Sequence, residues 1–130
     1  MMKAGDNREY LWLDKSSNDT KYHTACSVSA PDYFSLLFEW INGQIENDQV
    51  FPVDESQQFP KNFHSIVKKI MSRLFRVFAH VYVHHYDDMI GFGSVAHLNT
   101  LFMHFMLFVW EFKLISKDEL IPVNHVIIKL

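Results

Sequence analysis

The chain has 130 residues, 12 Lys plus Arg against 15 Asp plus Glu, and a formal net charge of -3. That length fits a single domain spanning 1–130. A 48% hydrophobic share with 12 Phe supplies a packed core and excludes global disorder. The negative balance disfavours a general nucleic-acid partner, so any anion site must be a local basic patch. One cysteine excludes an intrachain disulfide framework and fits a reducing compartment. The start, Met1-Met2-Lys3-Ala4-Gly5-Asp6, has no apolar signal-peptide core. The longest apolar run, Leu101 to Trp110, is interrupted by His104 and is too short to span a bilayer. The expectation is a soluble intracellular protein.

Along the chain, Glu9 to Leu13 is aromatic and apolar, Lys15 to Asp19 is a turn cluster, and Thr20 to Val28 is weakly patterned. Two short strands joined by a loop are expected. Ser29-Ala30-Pro31-Asp32 is a helix start: a capping hydroxyl, a proline in the first turn and an acid at the positive helix end. Tyr33, Phe34, Leu37, Trp40, Ile41 and Ile45 follow at helical spacing, and Glu46-Asn47-Asp48 ends the helix. The pairs Phe51-Pro52 and Phe59-Pro60 bracket a polar loop and read as extended corners.

The second helix is expected from about Lys61 to about Met89, with Phe63, Ile66, Val67, Ile70, Leu74, Val77, Phe78 and Val81 as its buried face. Lys69, Arg73, Arg76, His80 and His84 recur three or four residues apart on the opposite stripe. Gly91 and Gly93 break the chain, and Ser94 caps a helix from Val95 to about Phe112. That helix is apolar nearly all round and belongs in the middle of a bundle. Ser116-Lys117-Asp118-Glu119 reads as a capping box opening a short further helix, which Pro122 ends or kinks. The fold class is therefore all-α, a helical bundle with a small β-hairpin near the N-terminus.

Two constellations carry chemistry. His80, His84 and His85 have the spacing of half a Cys₂His₂ zinc site, and His80 with His84 (i, i+4) is the helical pairing that geometry favours. His97, His104, Asp87 or Asp88 are the available completing ligands. Satisfied core or surface histidines are the plainer and preferred reading. Lys69, Arg73 and Arg76 form a candidate phosphate or carboxylate clamp, because the guanidinium fork donates two bonds at once. A solvated helix face is the competing reading. There is no Gly-rich phosphate loop, G-x-S-x-G or His-Glu-x-x-His. Cys26 with His23 nearby is a formal nucleophile pair, but such proximity is far more often incidental. No catalytic residue is assigned.

The ordered pieces Glu9-Tyr-x-Trp12, Ser29-Ala-Pro31, Phe51-Pro52, Phe59-Pro-Lys-Asn-Phe63, Arg73-Leu-Phe-Arg76, Ala79-His80, His85, Ala96-His-Leu-Asn-Thr100, His104-Phe105, Glu111-Phe112 and Glu119-Leu120 cover most of the chain. Together they resemble the Mob (Mps one binder) family of kinase activators and adaptors, in the class that carries Ser just before the Arg-Leu-Phe-Arg run. The resemblance implies a Mob-type four-helix-bundle core and a non-enzymatic role: binding and activating NDR/LATS-type protein kinases and docking phosphorylated segments of Hippo/Ste20-type kinases. It implies phosphopeptide docking by Arg73 and Arg76, beside Lys69, with Ser72 where the best-studied class has Lys. It also implies a structural zinc held by two cysteines and two histidines, here His80 and His85 rather than His84, with the helix loosened at that turn. In the family the cysteine pair lies just before a segment like Met2-Lys3-Ala4-Gly5, so zinc is expected to be absent or weak in this chain. The loop between Trp12 and Ser29 looks expanded. The expected location is the cytoplasm, with the nucleus as a second compartment. The alternatives are a truncated Mob fragment without independent activity, or a metal-dependent enzyme using the His80/His84/His85 cluster with Asp87.

Overall fold

The computed structural model describes residues 10–121, which divide into two compact units meeting between Asp54 and Glu55. The expectations on Met1–Asp6, Glu9 and Pro122 lie outside the described residues. Among the described residues, four α-helices and one two-stranded sheet give an all-α fold with a small hairpin, as the sequence indicates.

In the first unit, β1 (Tyr10–Trp12) pairs antiparallel with β2 (Cys26–Val28), Tyr10 opposite Val28 and Trp12 opposite Cys26. Side chains alternate across a strand, so Tyr10 and Trp12 are buried while Leu11 faces water. Both rings pack on Tyr33 of α1 (Ala30–Glu46), with centroids 5.1 and 5.6 Å away, and Trp12 also meets Trp40 edge-on. The α1 start forms as expected, with Ser29 Oγ accepting from the Asp32 amide. The second strand is shorter than the Thr20–Val28 expectation. Thr20–His23 is a 3-10 turn capped by Asp19, whose carboxylate accepts from the Lys21 amide. Asp14 accepts from both the amide and hydroxyl of Ser16, a side-chain turn that outcompetes a ladder. Val50 is buried beside the half-buried Phe51 corner, whereas Phe59 is exposed and contacts the ring of Phe63.

In the second unit, α2 (Phe63–His84) is followed by α3 (Tyr86–Gly91) and α4 (Val95–Glu111). The single helix expected to reach Met89 is thus corrected to two, because His85 leaves helical geometry at φ -123°, ψ 14°. The face of α2 in the core is Phe75, Ala79 and Tyr82, with Val67, Met71, Phe78 and Val81 alongside. It packs on Leu98, Phe102, Met106 and Val109 of α4. Phe102 is fully buried and its ring meets Phe75, Phe78, Tyr82 and Phe105. Burying a side chain of this size stabilises by roughly 1.5–3 kcal/mol. Of the expected face, Ile70 is buried and Val67, Phe78 and Val81 pack on the core, but Leu74 and Val77 are only half-buried, and the core also takes Phe75 and Tyr82, so the face is turned toward these two. A helix rich in aromatics offers two overlapping apolar stripes, and α4 selects between them.

Helix α4 is buried along one face only. Leu101, Leu107, Trp110 and Phe112 are each more than half exposed, which corrects the expectation of burial all round. Its end is a Schellman turn: Leu114 donates to the Val109 carbonyl at 2.8 Å and Lys113 to the Trp110 carbonyl. Lys113 occupies the left-handed position at φ 53°. His64 of α2 adds a further partner to this terminus, its Nε2 donating to the Phe112 carbonyl. The chain then returns to the core through Leu114, Ile115 and Leu120. The helix expected after Ser116 is corrected to a turn. The Glu119 amide reaches Ser116 Oγ, but the Glu119 side chain does not reach back to complete the box.

Replacing Lys113 by Gly should raise stability by about 1 kcal/mol, because only a side chain makes the left-handed position costly; the shift in Tm checks this. Tyr82 donates to Asn99 Oδ1 at 2.8 Å. Tyr82→Phe should cost about 1 kcal/mol by urea unfolding. Burial, with Tyr86 adding to it, raises the Tyr82 phenol from 10.0 to about 12. The folded state therefore favours the neutral phenol. This contribution is complete below pH 10 and is lost as pH rises toward 12, so wild type should lose stability over that window more steeply than Tyr82→Phe.

Candidate functional site

The side of α2 away from Phe102 carries Lys69, Arg73, Arg76, His80 and His84, which follow one another at helical three- and four-residue steps, with Ser72 beside Arg73. They do not form a uniformly solvated stripe. Lys69 is exposed, Arg76 is half-buried, and Arg73 is buried with only 9% of its surface accessible. A buried guanidinium cannot swing freely, so Arg73 is held in place, whereas Lys69 lies at the surface. The burial of Arg73 also gives it a packing role that a solvated face would not have.

Ser72 Oγ donates to the Glu119 carboxylate, 3.1 Å from Oε2 and 3.4 Å from Oε1. Sequence reasoning missed this contact, because it placed Glu119 in a capping box. Only the return of the chain after α4 brings residue 119 back to residue 72.

The three histidines sort by geometry. In a regular helix, residues five apart point about 140° from each other. Because His85 leaves the helix, its ring turns back, and His85 Nε2 lies 3.0 Å from His80 Nε2. The spacing argument for His80 and His84 gives way to a different pair: those rings lie tilted at 46° with centroids 5.1 Å apart, but the converging nitrogens belong to His80 and His85. Asp88 accepts from His85 Nδ1 at 3.1 Å. That places a proton on His85 Nδ1 and turns Nε2 toward His80. Asp88 is thus an orienting partner, three residues from the histidine it holds.

Among the described residues, no group of three or more His, Cys, Asp or Glu side chains is arranged to hold a metal ion. His97 and His104 are exposed on α4, and Asp87 is exposed on α3. Among the described residues, His80, His84, His85 and Asp87 are therefore not gathered into a group that could hold a metal ion. His23 Nε2 donates to the Ser17 carbonyl at 2.8 Å.

In the first unit, an open cavity of about 830 Å³ is lined by Trp12, Tyr22 and Trp40 together with Asp14, Asp19, Glu39 and Glu46. Lys21 bridges its rim, 3.6 Å from Asp19 and over the Tyr22 ring. No helix among the described residues is long and apolar enough to cross a membrane.

Comparison with known proteins agrees with the geometry. The Mob1/phocein family model matches residues 1–123. The chain is 48% identical over 125 residues to MOB kinase activator 3A of Bos taurus, covering 96% of this chain and 56% of that protein. It is 46% identical to MOB kinase activator 3B of Homo sapiens over the same shares. It is 43% identical to MOB kinase activator-like 1 homolog B of Dictyostelium discoideum, covering 98% of this chain and 57% of that protein. The chain thus spans just over half the length of these relatives. A family match over nearly the whole chain, on top of an all-α fold and a basic, histidine-bearing α2, makes this chain a member of the Mob1/phocein family.

Proposed function

We propose that this chain is a non-catalytic adaptor module that binds protein kinases of the NDR/LATS type and docks phosphorylated segments of Hippo/Ste20-type kinases. The observation that carries the reading is the alignment of Arg73 and Arg76, with Lys69 one turn away, on the α2 face opposite the core. A phosphate carries close to two negative charges and three acceptor oxygens, which suits two planar donor forks and one ammonium. The buried Arg73 supplies a fixed donor, and Arg76 and Lys69 close on the ligand from the solvent side. Membership in a family whose relatives are named kinase activators supports the same reading. The proposed compartments are cytoplasm and nucleus, both reducing, in keeping with the free thiol of Cys26.

Titration of a fluorescent phosphothreonine peptide tests the docking face. Each charge-assisted bond contributes about 1.5–3 kcal/mol, so Arg76→Ala should weaken binding by roughly 10- to 100-fold while the protein still unfolds cooperatively. Arg73→Ala should weaken binding and also lower Tm, because it empties a buried position. Equal affinity of wild type and Arg76→Ala rejects the docking face.

His80 and His85 are proposed as two ligands of the family's structural zinc. When bound, zinc would cross-link the end of α2 to the turn before α3. With two ligands alone, binding should be weak. Zn²⁺ titration followed by NMR should shift the ring signals of His80 and His85 and leave those of His97 and His104 in place. Asp88→Asn should weaken the response about 10-fold or more, because it unties His85 Nδ1. Uniform shifts of all the histidines would show surface binding instead.

A further inference from the structure

The Ser72–Glu119 hydrogen bond places a negative charge on the face that carries Arg76 and Lys69. Ser72 lies one turn before Arg76 and three residues after Lys69, so the side chains start about 5–6 Å apart. One hydroxyl proton holds a carboxylate with two oxygens, 3.1 and 3.4 Å from Ser72 Oγ. Most of the acceptor capacity of Glu119 therefore remains open, and the residue is exposed. The backbone on either side is tied down: the Glu119 amide reaches Ser116 Oγ, and Leu120 is buried in the core. The carboxylate is thus a fixed charge, not a waving surface glutamate.

We propose that Glu119 sets the ligand specificity of this face, favouring phosphorylated segments with a basic residue beside the phosphate and discriminating against acidic-flanked ones. This rests on the phosphate-docking reading above. A phosphate drawn to Arg76 brings its neighbouring residues within reach of Glu119. An arginine or lysine there gains a charge-assisted bond to the open carboxylate oxygens, and an aspartate or glutamate meets a like charge. Ser72 acts as the positioning residue, because its hydroxyl holds the carboxylate toward α2. The face then selects ligands of paired sign: an anion on the arginines and a cation on Glu119.

The test compares three phosphothreonine peptides that differ only in having arginine, alanine or glutamate beside the phosphothreonine. Wild type should bind them in that order. Glu119→Gln keeps the shape and an acceptor for Ser72 but removes the charge. It should shrink the arginine-over-glutamate preference by about 3- to 5-fold, as expected for an exposed pair. Ser72→Ala keeps the charge but frees it, and should shrink the preference partway. Arg76→Ala should weaken all three peptides while the preference remains. Raising the salt should erase the preference. An unchanged preference in Glu119→Gln, with intact binding, overturns the role of Glu119 and leaves the docking face standing. If wild type binds none of the three, the docking face itself fails and this inference falls with it.

Discussion

The contact between Phe102 and the aromatic face of α2 determines the rest of the second unit. Phe102 has no accessible surface and meets Phe75, Phe78 and Tyr82 across the helix pair, with Phe105 one turn away on its own helix. Large rings interlock in few ways, so this packing fixes the rotation of α2 about its axis. Once Phe75, Ala79 and Tyr82 face α4, helical geometry points Lys69, Arg76 and His80 to the other side. The chemistry of the basic face is therefore a consequence of core packing.

Two departures from regular helix build the remaining features. At His85 the chain leaves the helix, and the ring that would have pointed away instead meets His80. At Lys113 a left-handed residue closes a Schellman turn and sends the chain back across α2. That return buries Leu114, Ile115 and Leu120 and carries Glu119 to Ser72. Each is a local backbone event whose effect is to bring together side chains that sequence spacing alone would separate.

Helix α4 shows how composition can mislead about burial. Its apolar residues run nearly all round, yet only Leu98, Phe102, Met106 and Val109 are enclosed. Leu101, Leu107, Trp110 and Phe112 form an open apolar surface, of a kind that marks interaction surfaces in soluble proteins. Periodicity reports which residues are able to enter a core; it does not report how many neighbours are present to cover them.

Much was legible in the sequence for identifiable reasons. The Ser29 cap, the α1 stripe, the breaks at Gly91 and Gly93 and the alternation of Tyr10 and Trp12 are local rules, each satisfied within a few residues. So was the ordered set of motifs that marks the family. The turn at Thr20–His23, the missing helix after Ser116 and the rotation of α2 were not legible. Each depends on competition between two acceptable local choices, which a distant neighbour decides. The same division holds at the site. The sequence determined which residue types line α2 and at what spacing, because helical periodicity is a property of the chain itself. The family resemblance in the motifs already implied His85 rather than His84 beside His80, with a loosened helix there. Only the tertiary structure decided that Arg73 is buried and that Glu119 joins Ser72, a contact spanning 47 residues that no window short enough to read as a pattern encodes.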